Sequence, residues 1–434
     1  MIATAFWIAA DAASVLANGD LDARSADLLA RHRLGRLLSH AAYASAFYKR
    51  RFRSVGIEWS DPVLARDPYR ALSALAPVSK GELRQAGLEA LAGGRVRSSW
   101  SSSSSSGSTG EPFRVFYDPR AWATLKYLVK LRARRACGVG ANDRVALLDA
   151  IPPSRARFGM KRCARISVLQ PASEIAKALL AFAPDVLYGL PSALREVGYE
   201  LDLRGQHLPV RSLFTSGELL ERGAREALAG LFGAPVYDIY GTSETKEIAW
   251  ECRDGGMHLN TDVVRVEVLD DTGNSLPHDT EGNLVATLLV NKAMPLLRYR
   301  TGDRGTLSSA TCRCGRASPL LGIVTGRAAD VLVLHGGQRI SPYALTCAIE
   351  GVPGVLRYQV NQLNPAKVKV RAIVEGSANS AAVAEQVGTA LRSNVAPFLD
   401  VEVEFVDRLP TGPRAKFRVV QPLQAGVDSP LSLV

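Results

Sequence analysis

Between about residues 140 and 240, short apolar runs alternate with amphipathic stretches, "VALLDAI", "PDVLYGL", "VRSLFTSG" and "PVYDIYG" against "SEIAKALLAFA" and "LLERGAREALAGLFG". The first set has the length and content of strands, and the second repeats its apolar residues at helical spacing. That alternation predicts an α/β domain with helix-covered strands. Ahead of it, "LARHRLGRLLSHAAYASAFYKRRF" places apolar residues at helical spacing between arginines, so the N-terminal region begins helical. Behind it, "VVRVEVL" and "GNLVATLLV" flank the turn-rich "DDTGNSLPHDTE", the pattern of strands paired through a polar loop. After Asp330 the style changes. "SPYALTCAIEG" offers a serine N-cap, a proline at the first helical position and a glycine stop, and "KVKVRAIVE" and "VEVEFV" alternate as half-exposed strands around the helical "SAAVAEQVGTALRSNV". The expected architecture is a large N-terminal α/β domain with a β-rich subdomain, residues 1–329, and a small α+β C-terminal domain, residues 330–434. Two domains also suit a chain of 434 residues, which exceeds what one core ordinarily holds.

The 53 basic and 42 acidic residues leave a formal charge of +11, which attracts nucleic acid, an anionic membrane or phosphorylated substrates without choosing among them. The first 17 residues are fairly apolar, but Asp11 interrupts them and no basic stretch precedes them, so neither a signal peptide nor a membrane anchor fits. No other run is long enough to span a bilayer. Six cysteines in a chain of this length do not form a secreted disulfide framework, so a reducing compartment, the cytoplasm, is expected.

The stretch "SSWSSSSSSGSTGEP", residues 98–112, holds eight serines in its first nine positions and then a tight Gly-Ser-Thr-Gly turn. Serine hydroxyls and glycine-freed backbone N–H groups can surround phosphate oxygens; the alternative is a serine-rich linker. The continuation "EPFRVFYD" reads as a strand, which sets the turn between ordered elements and favours the phosphate loop. No Gly-Lys-Ser/Thr occurs in the chain, so this is not the Walker loop, whose lysine is a required part.

Four further segments join it: "YDIYGTSETKE" at 237–247, "PLLRYRTGDRG" at 295–305, "GRAADVLVLHGGQRISPYALTCAIE" at 326–350 and "LPTGPRAKFR" at 409–418. In order and spacing the five resemble the core motifs of the adenylate-forming superfamily of acyl-CoA synthetases and adenylation domains. The likeness is greatest to the phenylacetate-CoA ligase branch, which has a similar length, an N-terminus like the "RLGRLLSHAAYASAFY" ending at Tyr48, and a Cys-x-Cys-Gly-Arg segment after the Thr-Gly-Asp motif.

The resemblance implies an enzyme that uses ATP and Mg²⁺ to adenylate a carboxylic acid, releases pyrophosphate, and passes the acyl group to coenzyme A. It implies that Ser105, Ser106, Gly107, Ser108, Thr109 and Gly110 hold the β- and γ-phosphates, that Tyr240 stacks on adenine within a Tyr240-Gly241-Thr242 nucleotide motif, that Ser243 faces the α-phosphate, and that Glu244 holds Mg²⁺. Asp303 would accept hydrogen bonds from both ribose hydroxyls, Arg327 would lie near the same sugar, and Ser216, Gly217 and Glu218 would form the turn beside adenine. Lys416 would reach the reacting phosphate and carboxylate, and Asp330 would be the hinge about which a mobile C-terminal domain turns to present "HGGQR" to the thiol. Two positions depart from the family pattern: Glu111 stands where a lysine usually closes the serine-glycine loop, and Ala329 where a second acid often precedes the hinge.

The resemblance places the acyl pocket among "RARFG" at 155–159, "LYGLPS" at 187–192 and "FTSGE" at 214–218, and points to an aryl or arylacetic acid. Partners are then the acid, ATP and coenzyme A, with neither nucleic acid nor membrane. Other readings stay open: a carrier-protein thiol, an amine or AMP transfer in place of coenzyme A, a homodimer, or a catalytically silent binding protein on the same fold.

Separately, Cys252, His258, Cys312 and Cys314 supply three thiolates and an imidazole, a set suited to a structural tetrahedral zinc. Cys137, Cys163 and Cys347 have no partner pattern.

Overall fold

The computed structural model describes residues 13–105, 113–149, 157–159, 162–327, 332–335, 339–340, 345, 348–349, 352–376, 378–409 and 419–423. An antiparallel hairpin of β1 (Ser101–Ser105) and β2 (Phe113–Tyr117) comes first. Five of the serines are therefore strand, in spite of their low propensity, because each pairs with a residue of the more apolar β2.

The alternation over residues 140–240 becomes one sheet. Its strands are β3 (Val145–Asp149), β4 (Arg157–Gly159), β5 (Cys163–Ser167), β6 (Val186–Gly189), β7 (Ser212–Ser216), β8 (Val236–Thr242), β9 (Lys246–Glu251) and β10 (Met257–Leu259). They lie in the order β10-β9-β8-β7-β6-β3-β5-β4, with the central run β5-β3-β6-β7-β8 parallel. Helices Ala172–Phe182, Pro191–Leu203 and Arg222–Phe232 make the crossovers. Each buries the stripe that its spacing sets out, such as Ile175, Leu179 and Phe182 or Leu194, Val197 and Leu201, against Leu148, Ile166, Leu187 and Leu213 of the strands. A fully buried side chain of this kind contributes roughly 1.5–3 kcal/mol. The chain enters the sheet at β3, adds β5 on one side and β6 to β8 on the other, so the strand order reverses between β3 and β6. Sheets of this kind bind ligands outside the carboxyl ends of their strands, at such a reversal.

The β-rich segment is a four-stranded antiparallel sheet of β11 (Val264–Leu269), β12 (Gly282–Leu288), β13 (Tyr299–Leu307) and β14 (Leu321–Arg327). The N-terminal helices Ala23–Ala44 and Ala46–Arg53 pack Leu34, Leu37, Leu38, Tyr48 and Phe52 onto Leu289 and Leu297 of this region.

One buried ion cluster ties these parts together. Arg132 donates to both carboxylate oxygens of Asp262, at 2.8 and 2.7 Å, and to Asn260 and the Val15 carbonyl. Burial alone would raise the Asp262 pKa, yet Arg132 and Arg33 hold it below the ordinary carboxylate value. Its stabilising contribution is therefore complete above the unfolded value of about 3.9 and is lost as the pH falls through the lower, folded one. Asp262→Ala strands a buried guanidinium and is expected to cost about 3–5 kcal/mol in urea unfolding; a change under about 1 kcal/mol would remove the cluster from the stability account.

Residues from Leu332 onward build a core of their own, with Ile349, Val360, Val370, Val387 and Leu391 at its centre. Strands β15 (Leu332–Val333) and β16 (Arg339–Ile340) form a small ribbon, and β17 (Val355–Asn364), β18 (Lys367–Val374), β19 (Asp400–Phe405) and β20 (Val420–Gln421) form a sheet in the order β19-β18-β17-β20. Helix Ser380–Asn394 connects the parallel pair β18 and β19, which are the two alternating segments of the sequence. Arg357 of this unit meets Glu196 of the crossover helix at 2.7 Å. The hinge position Asp330 lies outside the described residues, and of the helix expected at 341–350 Leu345, Ala348 and Ile349 are described, all helical. Among the described residues no helix is long and apolar enough to cross a membrane.

Candidate active site at the carboxyl edge of the sheet

Strand β8 carries "YDIYGT" to the sheet edge and turns back into β9 through Ser243, Glu244 and Thr245. Gly241 is required at the start of this turn, because a Cβ there would lie 2.2 Å from the Lys246 carbonyl oxygen. Thr242 Oγ1 accepts from the backbone N–H groups of Glu244 and Thr245 at 3.2 and 3.1 Å, which braces the turn from inside. Two groups hold it from outside. The Tyr117 hydroxyl lies 2.6 Å from the Glu244 carbonyl and 3.2 Å from that of Ser243, and Lys246 Nζ donates to the Ser243 carbonyl at 2.8 Å and to Ser103 Oγ at 2.6 Å. The serine hairpin is thereby fastened to the β8–β9 turn. Lys246 makes this contact from the left-handed region, φ +62°, a conformation a lysine holds only where its surroundings impose it. Burial brings its pKa down to about 8.

Three residues singled out for the base and the sugar meet. The Tyr240 hydroxyl donates to Asp303 Oδ2 at 2.7 Å across 63 positions of sequence, and Asp303 is register partner of Arg327 between β13 and β14. Asp303 is buried, and its N–H donates to Thr301 Oγ1 around Gly302, whose φ is +86°. The turn after β7 uses Gly217 at φ +89°, and Glu218 accepts from the N–H and the hydroxyl of Ser192, at 3.0 and 2.9 Å. Its carboxylate therefore steadies the first turn of helix Pro191–Leu203, where the positive end of the helix dipole lies.

Glu244 is buried, with Oε1 2.9 Å from Lys80 Nζ. A buried carboxylate at this turn is a hard oxygen donor of the kind Mg²⁺ takes. The Ser243 hydroxyl makes no hydrogen bond to any described residue, and it sits in the turn between the serine hairpin and the Tyr240–Asp303 pair. Ser105 has its backbone paired with Phe113 in the hairpin; Ser106 to Gly110, Glu111 and Lys416 lie outside the described residues.

Sequence reasoning passed over Lys80, Tyr117 and Lys246. Tyr117 reads as a core residue of an alternating strand, and Lys80 as an ordinary helix N-terminus. Lys246 stood inside a quoted motif, but nothing in the spacing says that its side chain folds back under the serine strand.

The four sulfur and nitrogen ligands converge as well. Cys252, His258, Cys312 and Cys314 place their ligand atoms within 4.8 Å of one another, with Cys252 Sγ 3.5 Å from Cys312 Sγ and Cys314 Sγ 3.1 Å from His258 Nε2. A zinc–sulfur bond of about 2.3 Å implies a tetrahedral edge of about 3.8 Å, so the donors fit that ion. His258 is fixed through its other nitrogen, Nδ1, 2.8 Å from Ser318 Oγ, the outer-shell arrangement of a metal-ligating imidazole. Gly256 completes the cradle, since a Cβ there would lie 2.6 Å from Cys312 Sγ.

No family model matches the chain. A phenylacetate-coenzyme A ligase of Thermus thermophilus is 27% identical over 359 residues, covering 74% of this chain and 80% of its own. That of Aromatoleum evansii is 32% identical over 251 residues, 54% of this chain and 55% of its own. Among solved structures, a 2-hydroxyisobutyryl-CoA ligase in the postadenylation state superposes with a TM-score of 0.78 at 18% identity, over 94% of this chain and 91% of that one. In sequence the chain is thus similar to phenylacetate-CoA ligases, and in fold to a solved acyl-CoA ligase, in keeping with the ordered motifs.

Proposed function

We propose that the protein is an AMP-forming acid–thiol ligase: it joins a carboxylic acid to the α-phosphate of ATP, releases pyrophosphate, and transfers the acyl group to the thiol of coenzyme A. The observation that carries this reading is the meeting of Tyr240, Asp303 and the β8–β9 turn at the carboxyl edge of a parallel sheet, in a chain whose curated relatives are named for this reaction. Tyr240 offers an aromatic face while its hydroxyl is held on Asp303, whose carboxylate takes ribose hydroxyls; the Ser243 hydroxyl and the backbone beside it face the α-phosphate. Lys246 adds a cation at the Ser243 carbonyl. Glu244 would hold Mg²⁺, which supplies charge neutralisation of the phosphates when bound.

The acid is proposed to be aryl or arylacetic, as in the named relatives. Pyrophosphate exchange into ATP across aryl, arylacetic, fatty and amino acids tests both parts. Exchange is expected with aromatic acids, followed by thioester formation when coenzyme A is added. Exchange without thioester would move the acceptor elsewhere, and its absence with every acid would leave a binding protein on this fold.

A further inference from the structure

Beneath the site, the helix that follows β2 widens. Residues Thr124–Leu128 form a π turn between the α-helical segments Pro119–Ala123 and Val129–Ala136, a distortion found disproportionately at functional sites. The turn carries Lys126, and one turn later comes Lys130. Lys130 faces the point where the order of the parallel strands reverses, its Nζ 4.6 Å from the centre of the Tyr188 ring on β6, while Lys126, one turn earlier, has its ammonium over the Trp122 ring and feels the charges of Arg165 on β5 and Asp149 at the end of β3.

The carboxylates here are already engaged. Asp149 is bound by Arg165, Glu247 by Lys130 at 3.0 Å, and Glu244 by Lys80 at 2.9 Å. Lys246 donates to two neutral oxygens. Half-buried Lys126 has no ion pair among the described residues; its ammonium lies over the Trp122 ring, 4.4 Å from the centroid, with that of Lys246 5.3 Å from the same centroid. Among the described residues, five cations (Lys80, Lys126, Lys130, Arg165, Lys246) thus stand with three carboxylates (Asp149, Glu244, Glu247). Burial lowers the pKa of Lys126, Arg165 lowers it further, and Asp149 opposes them only in part. A half-buried ammonium in this setting is stabilised by an anion brought to it.

Lys246 touches the turn where the reacting carboxylate and α-phosphate are proposed to meet, so its charge is used there. Among the described residues, no such group stands at Lys126. From this arrangement we infer that the acid substrate carries a second negative group, held by Lys126 near the carboxyl end of β3 with its carbon skeleton against Trp122. The two ammonium groups can be no further apart than the sum of their distances to the ring centre, so an acid whose two charged groups are separated by no more than about one aromatic ring can reach both. The inference rests on the adenylation reading given above and adds the substrate class to it.

The test uses the full chain and matched acids in pyrophosphate exchange: phenylacetate against 4-carboxyphenylacetate, and benzoate against terephthalate. The dianion is expected to be preferred by at least tenfold in kcat/KM, and Lys126→Met to lower the dianion-to-monoanion ratio by tenfold or more. Lys126→Glu should invert it in favour of 4-(aminomethyl)phenylacetate, and Lys126→Arg should restore most of it. Equal use of both acids by the unmodified protein, or a Lys126→Met effect that appears as a raised KM for ATP with every acid alike, overturns the substrate inference and leaves adenylation standing. No exchange with any acid from a folded protein overturns adenylation itself, and the inference with it.

Discussion

Lys416→Ala is expected to lower acid-dependent pyrophosphate exchange by roughly 10³-fold while largely sparing thioester formation from a supplied acyl-adenylate and coenzyme A. The reason is electrostatic. A carboxylate attacking the α-phosphorus drives two negative groups together, and a fixed cation at the crowded centre counts for most when the transition state forms. Among the described residues, the cations that touch the β8–β9 turn are already engaged. Glu111 is an acid where the motif resemblance implies a lysine, Lys80 is committed to Glu244, and Lys246 is held on Ser103 and the Ser243 carbonyl. In sequence "PTGPRAKFR" falls between β19 and β20 of the small unit, which has its own core, so the proposed withdrawal of its lysine for the second half-reaction need not disturb the large sheet. Equal loss of both half-reactions would take Lys416 out of adenylation; full retention of exchange would assign the charge to Lys246 instead.

How much of this was legible beforehand depends on range. The sheet strands and crossover helices followed from periodicity, because a buried stripe such as Ile175–Leu179–Phe182 is set within one helix. The pairing of Tyr240 with Asp303 was reachable only through motif order, since 63 residues separate them and neither carries a local signal of the other. The serine run was half legible: its glycine turn stood out, but the strand Ser101–Ser105 is imposed by β2 and is invisible to propensity. Least legible was charge. Lys126 and Lys246 are ordinary lysines in sequence, and what distinguishes them is which carboxylates nearby are already taken, a property of the packed structure alone.

Zinc is expected to co-purify at about one equivalent per chain, and its loss to lower the melting temperature by on the order of 10 °C with little change in turnover of the protein that stays folded. The four donors come from the end of β9, from β10 and from the segment before β14, so the ion would close a cross-link of about 60 residues. Cys252 and His258 are buried behind Trp250, which lies 5.4 Å from the imidazole ring, so removing the ion leaves apolar-packed thiols and a ring facing one another without their shared partner. Four protein ligands fill a tetrahedron and leave no position for substrate, which is why the effect should fall on stability. Paired Cys312→Ser and Cys314→Ser substitutions should reproduce the effect of a chelator, and the chelator should then have no further effect. Metal-free protein that melts at the same temperature as the purified form would show these four side chains to be a thiol cluster held by packing, with Gly256 conserving space for sulfur and not for an ion.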